Sequence, residues 1–338
     1  MKKYLLPQEG NFYKANLHCH TTVSDGNETP EAVKKIYKEK GYSIVAFTDH
    51  EVLVPHNDLT DDTFLALNGV EMQIKEDKPT NAKTCHMCFI SPTADVPSQP
   101  CFHREKYFIG NGKDYVSMVK YDVKDPDYER VYSHEGVNDA IRRFKERGFF
   151  ATYNHPTWSL ENYTHYMNYD GFDAMEILNG SSMIGGYDDY NPRVYQDMLM
   201  GGKRLFCIGA DDNHNVYPKE SPFFDSCLAY VMIKAKKLDY KTIFGEIKNG
   251  NFYTSEAPEI YELYVEEDNV YITCSPAYKI CCNYGIRKAG IVVADENSYV
   301  SSASFSVPDD CVFFWITVTD KNGRHACTNA YFVDDVIR

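Results

Sequence analysis

The sequence predicts an α/β fold followed by a smaller all-β unit, and three observations carry that expectation. Through most of the first 255 of its 338 residues, short apolar strands alternate with helices. Most of those strands run into a histidine or a carboxylate. After residue 256 helical periodicity gives way to two-residue alternation, the pattern of half-buried strands. The chain therefore divides into residues 1–255 and 256–338.

The first strand ends in "NLHCHTTVSDG", residues 16–26. In a strand, residues i and i+2 share a face, so His18 and His20 project together while Leu17 and Cys19 face the other way. "PEAVKKIYKEKG" (30–41) opens with Pro30 in a first helical turn, repeats Val33, Ile36 and Tyr37 at helical spacing, and stops at Gly41. "YSIVAFTDH" (42–50) follows as a buried strand with a polar end. The same layout returns in "VNDAIRRFKERGFFATYNHP" (137–156) and in "VYQDMLMGGKRLFCIGADDNH" (194–214). In parallel α/β architectures, reactive groups gather at the carboxyl ends of strands. His18/His20, Asp49/His50, Glu71, His86, His155 and Asp211/Asp212/His214 are thereby expected to converge. Residues 91–135 break the pattern, being polar and rich in tyrosine and proline, and are expected to form an insertion over the site. Beyond residue 256, "EIYELYVEEDNVYITCS", "SYVSSASFSV" and "CVFFWITVTDKNGRHACTNAYFV", with Asn322-Gly323 as a hairpin turn, predict a small sandwich.

Composition narrows the function. A hydrophobic share of 43% suits a globular protein, and a net charge of −14 disfavours nucleic acid and membrane surfaces as partners. "MKKYLLPQEGN" is no export signal, no apolar run is long enough to span a membrane, and eleven cysteines without a spaced framework suggest reduced thiols in a cytoplasm. A lone histidine at a strand end is more often a satisfied polar residue than a ligand. Here the sum decides: H-x-H, Asp25 in a turn, T-D-H, a glutamate in "NGVEM" and the D-D-N-H ending. So many nitrogen and carboxylate groups exceed the three or four ligands that one zinc takes, and imply two or three divalent ions, Mn, Fe or Zn. Such clusters suit hydrolysis, and a carboxylate such as Glu71 bridges two cations with its two oxygens.

"HCHTTVSDG", "AFTDHE", "GVEM", "CHMCFI", "NHP" and "ADDNH" resemble, in order, the motifs of the PHP (polymerase and histidinol phosphatase) superfamily of metal-dependent phosphoesterases, over residues 16–215. The resemblance implies a distorted barrel of seven strands with a trinuclear site at the strand ends. It places His18 and His20 on one metal with Glu71 and an aspartate. Glu71 bridges to a second metal on His86 and His155, and Asp25, His50 and His214 hold a third. The aspartate that matches the family ending is Asp212, although Asp211 stands where a serine is usual. Asp25, His50 and Glu71 are the residues the resemblance places closest to catalysis. "LAYVMIKAKKLDYKTIFGEIKNGNFYTSEAPEI" and "TVTDKNGRHACTNAYFV" resemble, more loosely, the carbaryl-hydrolase-like subgroup, in which a β domain follows the barrel.

Several features are set aside. "CHMC" (85–88) has no second pair at zinc-finger spacing, and Cys281-Cys282 lies among β patterns. His56, His103, His134, His165 and His325 fit no motif, while Arg104, Arg193, Lys203 and Arg204 are surface charges by default, one or two of them candidates for a substrate phosphate. The expectation is a metal-dependent hydrolase of a small-molecule phosphate ester, using a metal-held hydroxide. The alternatives are the same centre acting on a carboxylic ester, carbamate or amide, and a metal-binding protein without turnover.

Overall fold

The structure, a computed structural model, describes residues 2–337. Its first strand, β1 (Lys3–Tyr4), is short, and β2 (Asn11–Asn16) leads into the His-x-His segment. Helix α1 (Pro30–Glu39) starts where expected: Thr29 accepts a hydrogen bond from the Ala32 amide, and Val33 and Tyr37 are buried. β3 (Ile44–Phe47) follows, then β4 (Leu65–Lys75) and β5 (Thr84–Ile90). α2 (His134–Glu146) is capped by Ser133 and buries Val137, Ala140, Ile141 and Phe144, with Phe144 stacked on Phe89. Next come β6 (Phe150–Tyr153), α3 (Tyr163–Tyr166), β7 (Ala174–Asn179), α4 (Gly180–Ile184), α5 (Pro192–Met200) and β8 (Phe206–Ala210). β9 (Tyr230–Ala235), α6 (Tyr240–Lys248) and β10 (Phe252–Ser255) complete this part.

Strands β2 to β8 lie side by side in chain order, with β2–β3–β4 and β6–β7–β8 parallel. The β4–β5 and β5–β6 pairs are antiparallel, which the parallel reading of the sequence did not anticipate. The reason is geometric: the eight residues 76–83 between β4 and β5 are too few for the helical crossover that parallel neighbours need. The sheet is mixed and open. Among the described residues no ladder closes β8 onto β2, where β9 pairs instead. Beyond the strand ends, one bridge between Cys19 and Asn213 draws the two edges together.

The remaining strands are β11 (Ile260–Glu266), β12 (Asn269–Ala277), β13 (Lys279–Tyr284), β14 (Ala289–Val293), β15 (Val300–Ser306), β16 (Phe313–Thr319), β17 (His325–Thr328) and β18 (Tyr331–Phe332), followed by α7 (Val333–Val336). β14, β13, β16 and β17 extend the large sheet through β10, while β1, β11, β12 and β15 form a second sheet. Leu263, Val265 and Ile272 of the second sheet share an apolar core with Ile280, Ile316 and Val318 of the first, as in a sandwich. The Asn322-Gly323 turn forms between β16 and β17, with Gly323 at positive φ. Among the described residues no helix is long and apolar enough to cross a membrane.

Residues 91–133 are largely irregular around one 3-10 stretch, Gly112–Met118. They are docked onto the neighbouring loops rather than free: Phe102 and Val119 share a buried cluster with Val23, Val52 and Val54. The Asn111 amide donates to the Ser24 carbonyl, and Gly110 approaches that carbonyl so closely that any Cβ would collide with it. Arg130 closes the far end. Its guanidinium donates to both carboxylate oxygens of buried Glu51 and lies over the Tyr107 ring. Replacing Arg130 with methionine strands the Glu51 charge and is expected to destabilise the fold by about 3–5 kcal/mol, read as a lowered denaturant midpoint.

Candidate metal centre

The strand order brings all nine sequence-predicted residues to one end of the sheet. His18 and His20 follow β2, and the Cys19 amide donates to Thr48 Oγ1, fixing the segment between them. Asp49, the residue before His50, accepts from the amides of Thr21 and Ser24 and from both of their hydroxyls. It therefore shapes the turn that presents Asp25 instead of facing the cluster itself. The β4–β5 register sets Glu71 opposite Cys88 and Gln73 opposite His86, so these four side chains share one face. His155 and Asp212 in the cluster, and Glu51 next to His50, hold left-handed backbone with φ of 26°, 54° and 70°, conformations that cost energy and concentrate at functional sites.

Glu71 is the hub. Its carboxylate oxygens lie 3.2 Å from His18 Nε2, 3.2 Å from His20 Nε2, 3.2 Å from His50 Nδ1, 3.1 Å from His86 Nδ1 and 3.4 Å from His155 Nε2. Asp212 Oδ1 is 3.2 Å from His18 Nε2 and 3.1 Å from His20 Nε2. Asp25 stands at the rim, 3.5 Å from His214 Nε2 and 3.8 Å from His50 Nε2. Four groups of donor atoms lie close enough to share a cation: His20/Asp25/His50/His214, His18/His20/Glu71/Asp212, His50/Glu71/His86 and His18/His155/Glu176. The two aspartates of the D-D-N-H ending separate cleanly. Asp211 is turned away, accepting from Tyr37 and from the amides of Cys227, Leu228 and Ala229, and Asp212 faces the cluster.

These donors fit divalent cations better than they fit one another. Glu71 Oε2 and His50 Nδ1 are buried without a hydrogen-bond partner, although only 3.2 Å apart. His18 Nε2 and His20 Nε2 face each other at 3.0 Å, an arrangement natural for two lone pairs aimed at one ion. Titration points the same way. Burial opposes charge on His18, His20 and His155, yet the surrounding carboxylates, Asp212 and Glu71 foremost, push all three up, His155 to about 9. Burial pushes His50 down to about 3, while Glu71 and Asp212 stay well below the usual carboxylate range because the histidines outweigh their burial. The cluster thus draws in positive charge, and divalent ions are the form that also satisfies the unpaired atoms.

Sequence reading missed Glu176, a fully buried carboxylate within β7. Its Oε1 lies 2.7 Å from His18 Nδ1, and its Oε2 accepts from the His155 amide and from Asn179 Nδ2. By binding His18 at Nδ1 it leaves Nε2 free to face a cation, the way carboxylates orient metal-ligating histidines. A glutamate inside the apolar run "AMEILN" was the available signal. Glu176→Gln is expected to lower divalent-ion affinity by about 10–100-fold with secondary structure retained, which calorimetric titration of the demetallated variant measures. Gln73 was missed as well; its side-chain amide lies 2.8 Å from His86 Nε2.

The features set aside from the sequence stay outside the cluster. Among the described residues no cysteine joins a candidate metal group, and none of the eleven forms a disulfide. His56 packs on Phe47, His103 accepts from the Glu105 and Lys106 amides, His165 sits beside Asn162 at the start of α3, and His325 stacks on Tyr190. Arg104, Arg193, Lys203 and Arg204 pair with Asp127, Asp197, Asp170 and Asp335, and none lines the cavity over the cluster.

Solved structures align with this chain. A two-domain protein containing a predicted PHP-like metal-dependent phosphoesterase, from Bacteroides vulgatus, aligns over 97% of this chain and 90% of its own, at 15% identity and a TM-score of 0.46. A putative metal-dependent phosphoesterase from Bifidobacterium adolescentis covers 64% of this chain and 91% of its own, at 17% identity and 0.41. An amidohydrolase from Chromobacterium violaceum, with bound sulfate and no metal, covers 62% and 93%, at 17% and 0.39. All three are named as hydrolytic enzymes. No protein-family profile matches the sequence, and no curated protein does.

Proposed function

We propose that the protein is a PHP-type metal-dependent hydrolase acting on a phosphate ester of a small molecule. The observation that carries this reading is the pair of unsatisfied buried atoms, His50 Nδ1 and Glu71 Oε2, inside a cluster of histidines and carboxylates. His18, His20, Glu71 and Asp212 would hold one ion, His86 and His155 with Glu71 a second, and Asp25, His50 and His214 a third, within a barrel-like arrangement of β2 to β8. Bound there, divalent ions would supply Lewis acidity, acidifying water and neutralising charge on the phosphoryl oxygens.

The chain's own groups do the rest. Glu71 and Asp212 hold the histidine rings in register, and Glu176 fixes the tautomer of His18. Asp25 is kept ionised chiefly by His214, against its partial burial, and stands at the rim where a proton has to enter or leave. Hydrolysis joins a water oxygen to phosphorus and breaks the bond to the ester oxygen. The water's proton passes to the released alcohol, and Asp25 or His214 is placed to relay it. Eleven cysteines without a disulfide fit a reducing compartment such as the cytoplasm.

A second reading, hydrolysis of a carboxylic ester, carbamate or amide, is favoured by one feature: among the described residues no lysine or arginine lines the cavity. A panel of chromogenic phosphomonoester, phosphodiester, carboxylic ester and carbamate, given to Mn²⁺-loaded protein with His20→Ala as control, separates the two. Phosphate-ester turnover lost in the variant supports the first reading. Turnover confined to the carboxylic ester or carbamate replaces it with the second, and none on any substrate rejects both.

A further inference from the structure

The cavity over the cluster has a volume of about 370 Å³ and two unlike halves. Its floor is the metal centre. Its walls are Gln73, Ile109, Trp158, Ser181, Gly185 and Tyr187, with no positive charge among them. Trp158 and Tyr187 are 38% and 44% exposed, so both rings offer open apolar surface beside the centre.

Trp158 is held firmly despite that exposure. The amides of Thr157 and Trp158 donate to the two oxygens of Asp189, which is fully buried. The indole stands edge-to-face against His86 and His155, at centroid distances of 5.2 and 5.0 Å. It is therefore a fixed wall rising from the centre. Tyr187 rises from another segment, just beyond α4: its amide donates to the Ser182 carbonyl, and Gly185 lines the cavity beside it. Ile109, from the insertion, adds an apolar contact.

Resting on the hydrolase reading, we infer that Trp158 and Tyr187 form an aryl subsite, and that the substrate is an ester carrying a planar, uncharged ring beside a single anionic reacting group. Two features of the cavity select this class. A flat ring gains most from fixed aromatic walls, by area burial and by offset or edge contacts. A second anionic group, held in the upper half away from the metal floor, would meet no lysine or arginine in the walls, in a chain of net charge −14. A substrate whose second anionic group lies at the aromatic end is thereby disfavoured.

Benzyl phosphate and ethyl phosphate test this directly, because both release poor alkoxides and differ chiefly in the ring. With Mn²⁺-loaded protein, kcat/KM is expected to favour benzyl phosphate by about tenfold, and the ratio to collapse toward one in Trp158→Ala and in Tyr187→Ala. Binding is read independently of turnover through fluorescence. The chain has two tryptophans, and the other, Trp315, is buried in β16. Benzylphosphonate is expected to change the emission saturably and more tightly than ethylphosphonate, and Trp158→Phe to abolish that signal. Equal constants for the two phosphonates, or a benzyl-to-ethyl ratio unmoved by both alanine variants, would overturn the inference. Tighter benzylphosphonate binding with neither ester hydrolysed would sustain the aryl subsite and reject the phosphoesterase reading.

Discussion

Replacing Glu71 with glutamine is expected to remove hydrolysis and to strip divalent ions from the purified protein, lowering activity by at least about 100-fold. The carboxylate lies within 3.4 Å of five histidines. Glutamine keeps the shape but offers a single acceptor oxygen and turns an NH₂ group toward donors that face a cation. Two nitrogens aimed at one point with no anion between them leave buried polar atoms unpaired, a cost that falls on the bound state. Metal content after dialysis, with circular dichroism as a check on folding, measures this. Full metal occupancy in the variant would refute the central role given to Glu71.

The second large effect is thermal. Asp25, Glu71 and Asp212 crowd six histidines at one end of the sheet, and cations bound there stabilise the folded state alone. At an ion concentration about a thousand times the dissociation constant that linkage contributes about 4 kcal/mol. Chelation is then expected to lower the unfolding midpoint by about 5–10 °C, and added Mn²⁺ to restore it. A midpoint indifferent to chelator would mean that protons and internal hydrogen bonds already satisfy the cluster.

Much of this centre is legible in the sequence because its signals are local. The His-x-His spacing places two rings on one face, and helix, glycine and strand in succession deliver Asp49/His50, His155 and Asp212/His214 to the same end. What is not legible depends on distant pairing. Glu176 looks like an isolated polar residue in a buried strand until β7 is set near His18 and His155. Gln73 meets His86 only through the antiparallel β4–β5 register, which the α/β pattern hid and the short 76–83 connection dictates. β1 joins the second sheet of the C-terminal strands, and β17 pairs with β10, so the two parts of the chain are joined through strand pairing that composition cannot reveal. The sequence already favoured Asp212 over Asp211, and the backbone gives the physical reason: with φ of 54° at Asp212 its carboxylate faces the cluster, while Asp211 ties down the loop before β9.

Whether the cluster is a cation centre is tested most directly by anomalous diffraction at the manganese edge from crystals of Mn²⁺-saturated protein. The account predicts at least two peaks among Glu71, Asp212 and the six histidines around them. Saturated crystals with no anomalous peak there, and with His50 Nδ1 and Glu71 Oε2 bonded to ordered water instead, would contradict it.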